Sequence, residues 1–128
     1  MSASRVNSVS LSAVTEAIEA GRPPDRVQLG EAVRGLLGRL RQLAPGRSVE
    51  VRVPPYGAIQ CVQGPPHKRG NPPNVVETDP VTFVLLATGR LGWADAVGAG
   101  RVTASGARAD LSGYLPCWPP TAEIRGGT

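Results

Sequence analysis

The chain has 128 residues, 41% of them hydrophobic, and a formal net charge of +4; one domain of this size buries roughly two-thirds of its unfolded surface and needs neither disulfide nor metal to hold it. The charge is modest and uneven, with ten basic against five acidic side chains in residues 1–70 and four against five in 71–128. That falls well short of the dense basic stripe of a nucleic-acid binder, which would also need aromatics beside its arginines. No stretch nears the about 18 consecutive apolar residues of a membrane span. Met1 to Ser12 lacks the apolar run of a signal peptide, so the expected compartment is the cytoplasm, with Cys61 and Cys117 as reduced thiols.

Tyr56, Phe83, Trp93, Tyr114 and Trp118 are all the aromatics, so the core must be built mainly from Val, Leu, Ala and Ile. The 16 glycines and 13 prolines gather in clusters between apolar, periodic stretches, which predicts long loops rather than general disorder. Ser10 to Ala20 reads as a short helix capped by Ser10 or Ser12 and ended by Gly21. Residues 21–25 have the composition of a linker. Leu29, Ala32, Val33, Leu36, Leu37, Leu40 and Leu43 then recur at three- and four-residue steps, one face of a helix that Pro45-Gly46 stops. Gly30, Gly35 and Gly38 weaken that helix, by about 1 kcal/mol each relative to Ala, so packing must offset them.

Ser48 to Val53 alternates apolar and charged residues, and Tyr56 to Gln63 alternates again; together they predict a β-hairpin turning around Pro54-Pro55-Tyr56-Gly57. Residues 64–74, GPPHKRGNPPN, form a turn-rich loop, and Asn74 to Thr78 a short strand. Thr78-Asp79-Pro80 is a helix start, with Asp79 or Thr78 as cap and Pro80 in the first turn. Val81 to Thr88 is almost wholly apolar, so this helix should be buried, with Gly89 ending it. A short helix around Trp93 to Val97 and a strand over Arg101 to Ser105 follow. Arg108 to Leu115 reads as a short helix or a further strand, and residues 116–128 as mostly extended or disordered.

The run TDPVTFVLLATGRLGWADAVGAGRVTASGARADLSGYL resembles the sterol-carrier-protein family, with Leu86-Ala87-Thr88-Gly89 and the strand from Gly100 to Gly106 carrying the match. PPDR at 23–26, SVEVRVPPYGAIQC at 48–61 and GPPHKRGNPPNVVETDP at 64–80 look like the small actinobacterial subgroup. The resemblance implies an α/β fold of the α+β type: one mostly antiparallel sheet of four to five strands covered by helices, with a helical crossover after the third strand. It divides the chain into an N-terminal extension (1–21), the sterol-carrier-like domain (22–116) and a flexible tail (117–128). It implies an apolar cavity between sheet and helices that takes up fatty acyl chains or sterols, and it carries over no catalytic residue and no cofactor. The same module occurs beside mycothiol-dependent isomerases, whose metal-binding bundle a chain with the single histidine His67 cannot supply.

The candidate ligand residues follow. Phe83, Val84, Leu85 and Leu86 on the buried helix, with Trp93 nearby, would wall an acyl chain; the alternative is ordinary core packing. His67 and Arg69, with Lys68 between them, would hold a carboxylate or phosphate headgroup; the alternative is a solvated loop. Cys61 reads as an inert core thiol, and Cys117 as incidental on the tail. No pair among Glu50, Glu77, Asp79, Asp95 and Asp110 has evident acid–base spacing, and no metal or cofactor is implied. The expectation is a non-catalytic carrier for a lipid-like ligand. The alternatives are a protein-interaction module with a filled core, or an accessory domain to a thiol-dependent enzyme. A lipid and a protein are the expected partners, and the oligomeric state is left open.

Overall fold

The computed structural model describes residues 5–65 and 74–119; His67, Lys68 and Arg69 lie outside the described residues. Helices α1 (Ser8–Glu19) and α2 (Arg26–Leu43) come first, then strands β1 (Val49–Val53), β2 (Gly57–Cys61) and β3 (Asn74–Thr78). Helices α3 (Pro80–Ala87) and α4 (Trp93–Gly98) cross over to strand β4 (Val102–Ser105).

The first helix starts earlier than its serines predicted. Its cap is Asn7, whose Oδ1 accepts from the Ser10 amide at 3.1 Å. Ser10 is buried instead, and its hydroxyl donates to Glu31 of α2. A serine turned toward a partner helix cannot also cap its own. Leu11 and Val14 of this helix join the same apolar core as the rest of the chain, so the segment expected as an extension packs onto the domain.

Helix α2 begins where Asp25 accepts from the Gln28 amide at 2.9 Å. Of its expected apolar face, Leu29, Ala32, Val33, Leu36, Leu37 and Leu40 are buried. Leu43 departs from the pattern and is 43% exposed, because it is the last helical residue and the chain turns so that Ala44 is buried in its place.

The expected hairpin is present. Strands β1 and β2 pair antiparallel with Val51 opposite Ile59, and the Tyr56 amide closes the turn on the Val53 carbonyl at 2.9 Å. Strand β3 pairs with β1 in parallel and β4 with β3 antiparallel, giving the order β2-β1-β3-β4. The sheet is therefore open and mixed. Val49, Val51, Val53, Cys61 and Val76 are buried in the core shared with the helices, while Glu50, Arg52 and Glu77 alternate onto the other face. There Arg52 Nε meets Glu50 Oε2 at 3.0 Å and Arg52 Nη1 meets Glu77 Oε1 at 4.0 Å.

Helix α3 is capped by Asp79, whose Oδ2 accepts from the Thr82 amide at 2.9 Å and whose Oδ1 accepts from the Thr82 hydroxyl at 2.6 Å. Arg101 Nε donates to the same hydroxyl at 3.1 Å. Burial pushes the Asp79 carboxyl up, but the Thr82 hydrogen bonds and the Arg101 charge together hold it below the ordinary carboxylate value.

Two sequence expectations are corrected. Residues 108–115 form turns, neither helix nor strand. Their anchor is a side chain: Asn74 Oδ1 accepts from the Arg108 amide at 2.8 Å while Asn74 Nδ2 donates to the Ser48 carbonyl at 2.7 Å. One amide thus ties this segment to the end of the sheet, and Ala109 and Leu111 bury beneath it. Cys117, expected on a loose tail, is 2% exposed. The amides of Cys117 and Trp118 both donate to the Ala87 carbonyl at 2.9 Å, a group at the end of α3 that has no partner within its own helix.

Candidate functional site

The crossover helix holds four expected ligand-wall residues; Leu85 is partly exposed, and the other three face packed protein. Phe83 is 1% exposed, Val84 0% and Leu86 2%. They share one apolar cluster with Leu36 and Leu40 of α2 and with Val51 and Val76 of the sheet. A side chain that lines a water-sized void keeps surface that a water molecule can touch. These keep almost none, so at their positions the space between sheet and helices is filled by the chain's own side chains. Trp93 stands apart at the start of α4, half-buried against the rim of the core. The structure thus brings Phe83, Val84 and Leu86 together. His67 and Arg69, the expected headgroup contacts, fall outside the described residues.

Among the described residues, two recesses lie on either side of Trp118, a residue expected on the tail. One recess of about 230 Å³ is lined by Leu11, Ser12 and Thr15 of α1, by Thr88 and Arg90 after α3, and by Trp118 and Pro119. The other, about 320 Å³, is lined by Arg5, Val6, Arg39, Gln42 and Trp118. The indole is their common wall. Its place follows from the hydrogen bonds to Ala87 and from the neighbouring Cys117, whose buried Sγ lies 3.9 Å from the Leu36 carbonyl of α2.

The second recess has its own local cause. The segment at Arg5 and Val6 runs over α2 at Gly35, where an added Cβ would stand 2.9 Å from the Arg5 carbonyl oxygen and 3.0 Å from the Val6 Cα. Only a residue without a side chain lets the backbone pass so close. Arg39 lies one helical turn further along α2, which puts Arg5 and Arg39 on the same recess. A glycine inside a helix costs about 1 kcal/mol relative to Ala; here that loss accompanies the docking of the chain's N-terminal segment. No sequence pattern announces this, because a glycine in a helix carries no record of what crosses it.

The two recesses differ in charge. Arg90 is paired, with Nε 2.8 Å from Glu19 Oε2. Arg39 has no carboxylate within ion-pair distance among the described residues, and neither has Arg5. Arg39 Nε is buried without a hydrogen-bond partner. Such unpaired buried donors are rare in folded proteins.

Neither thiol is poised for chemistry. Burial pushes the Cys61 thiol up to about 11. It pushes Cys117 up to about 12, against the smaller downward pull of Arg39 and a backbone hydrogen bond. Both stay protonated near neutral pH, and a thiol is a poor nucleophile in that form. Among the described residues no group of three or more His, Cys, Asp or Glu stands together as a metal site, and no helix is long and apolar enough to cross a membrane.

The chain matches the family described as Bacterial SCP ortholog, SCP being sterol carrier protein, over residues 25–117. No curated protein matches the chain. The matched span runs from the cap of α2 to Cys117, so it takes in the sheet, the crossover and the anchor of the Trp118 segment.

Proposed function

This chain belongs to the family of bacterial sterol-carrier-protein orthologues, and from that membership we propose that it is a non-catalytic binding protein for a lipid-like ligand with an apolar chain and one polar end, acting in the cytoplasm. The observation that carries this reading is the pair of recesses around Trp118. Each sets apolar surface (the indole with Leu11 or Val6) beside an arginine. An amphipathic molecule meets both requirements at once. Each methylene it removes from water contributes about 0.8 kcal/mol. Eight would give about 6 kcal/mol, which corresponds to a Kd in the tens of micromolar before the losses of ordering are counted.

On this reading the ligand docks at the rim of the core. The interior around Phe83, Val84 and Leu86 has no room to receive it without a movement of α3 or of the Trp118 segment. The test is titration with a fluorescent fatty acid, then displacement by unlabelled fatty acids and sterols. Saturable one-to-one binding that Trp118→Ala weakens supports the proposal. Absence of binding by every fatty acid and sterol tried would overturn it.

One observation favours a second reading. Cores filled to this degree suit a module that recognises another protein through its surface and takes up no small molecule. That reading predicts no lipid uptake, and a protein partner recovered by crosslinking whose binding is unaffected by Trp118→Ala.

A further inference from the structure

We propose that the recess between Arg5, Arg39 and Gln42 is a site for an oxyanion, a carboxylate or a phosphate, with Trp118 as the wall against which the rest of the ligand lies. The inference deepens the ligand-binding reading and rests on it only for the apolar part of the ligand; the anion site stands on its own observations.

Three observations converge. Arg5 and Arg39 line one recess and have no carboxylate partner among the described residues, whereas Arg90 across the indole is neutralised by Glu19 at 2.8 Å. Two uncompensated guanidiniums on one recess repel each other, and an anion between them turns that repulsion into attraction. The geometry is built in: Gly35 lets the Arg5 backbone lie on α2, which sets the two arginines on one recess. Finally, Gln42 adds an amide group that can donate to a second oxygen, one helical turn past Arg39 on α2.

Guanidinium groups suit this task because their planar array of donors matches the two oxygens of a carboxylate or phosphate. The chemistry is shared by a free anion and by the head of an amphipathic molecule. The indole beside the site favours a ligand with an apolar part.

The test uses the full chain and isothermal titration with four probes: laurate, dodecanol, acetate and inorganic phosphate. Laurate and dodecanol share a chain and differ in charge. The proposal predicts that laurate binds at least roughly tenfold tighter than dodecanol, as expected for one charge-assisted contact. Arg39→Met and, separately, Arg5→Gln should each shrink that difference while thermal melting stays cooperative. Arg39→Met removes the unmet donor and keeps the bulk, so it should not lower the melting temperature; Arg5→Gln changes an exposed residue and serves if Arg39→Met fails to fold. Acetate or phosphate binding that is lost in these variants, with laurate no tighter, would support the anion site and identify its ligand as a free anion. Equal binding of laurate and dodecanol, unchanged in both variants, would overturn the anion site and leave the lipid-binding reading standing. Failure of all four probes would overturn both.

Discussion

The carbonyl oxygen of Arg5 rests over Gly35, 2.9 Å from where a β-carbon on that residue would stand. This contact closes the N-terminal segment onto α2 and completes the recess beside Trp118. Gly35→Ala should therefore destabilise the protein even though alanine is the better helix former, because the clash meets backbone and cannot be relieved by a rotamer. Gly98, at the end of α4, is the control: a Cβ there meets nothing within 4 Å. Urea unfolding should show a loss of about 1 kcal/mol for Gly35→Ala and a gain of up to about 1 kcal/mol for Gly98→Ala. Equal gains from both would mean that the segment does not dock on α2.

Alkali should unfold the protein through its two thiols. The ordinary thiol value is 9.0, and in the folded chain Cys61 is raised to about 11 and Cys117 to about 12. Above pH 9 the unfolded chain releases these protons and the folded chain retains them, so stability is full below that pH and falls as pH rises toward the folded values. Each thiol takes away on the order of 1 kcal/mol per pH unit within its window. Chemical denaturation between pH 8 and about 11 should show this slope, and the double variant Cys61→Ala/Cys117→Ala should flatten it. Thiol reagents should label neither cysteine until the chain is denatured.

Asp79 caps α3 and should be a group through which strong acid loosens the crossover. Its carboxyl sits below the ordinary 3.8, so its contribution is present above that pH and is lost as pH falls through the lowered value. Asp79→Ala should cost about 1 kcal/mol at neutral pH, while Asp79→Asn, which keeps an acceptor for the Thr82 amide, should cost less and remove the acid dependence. Denaturation of the three proteins at pH 7 and about pH 3 separates these effects; equal losses for Asn and Ala would argue against the capping role.

Phe83 tests whether the interior is filled. Truncation of a fully packed aromatic side chain costs about 3–5 kcal/mol, whereas a residue lining an existing cavity leaves far less behind when removed. Phe83→Ala should fall in the upper range and create a void that a small apolar molecule such as benzene can occupy, raising the melting temperature of the variant but not of the natural chain. A loss near 1 kcal/mol, with no rescue, would show that the space around Phe83 was open from the start.

Much of the architecture was legible in the residues because it is periodic. The leucine face of α2, the alternation of β1 and the Asp79-Pro80 start of α3 each state one local requirement, and each appears in the structure. What could not be read were relationships between distant residues. Asn7 caps α1 because Ser10 is engaged with Glu31. Asn74 holds Ser48 and Arg108 at once. The candidate site followed the same division. Phe83, Val84 and Leu86 were identified by their apolarity, a property that core and pocket share. Trp118, which walls both recesses, stands among prolines in a segment without periodicity. Only the hydrogen bonds to Ala87 reveal that it is held.

The claim that this protein carries a lipid-like ligand is tested most directly on material purified from its natural host, by comparing its mass under native and denaturing conditions and extracting what is released. A stoichiometric amphipathic adduct should be present natively, lost on denaturation, and depleted when Trp118 is replaced by alanine. A clean mass for the bare chain, together with no uptake of added fatty acids or sterols, would contradict it.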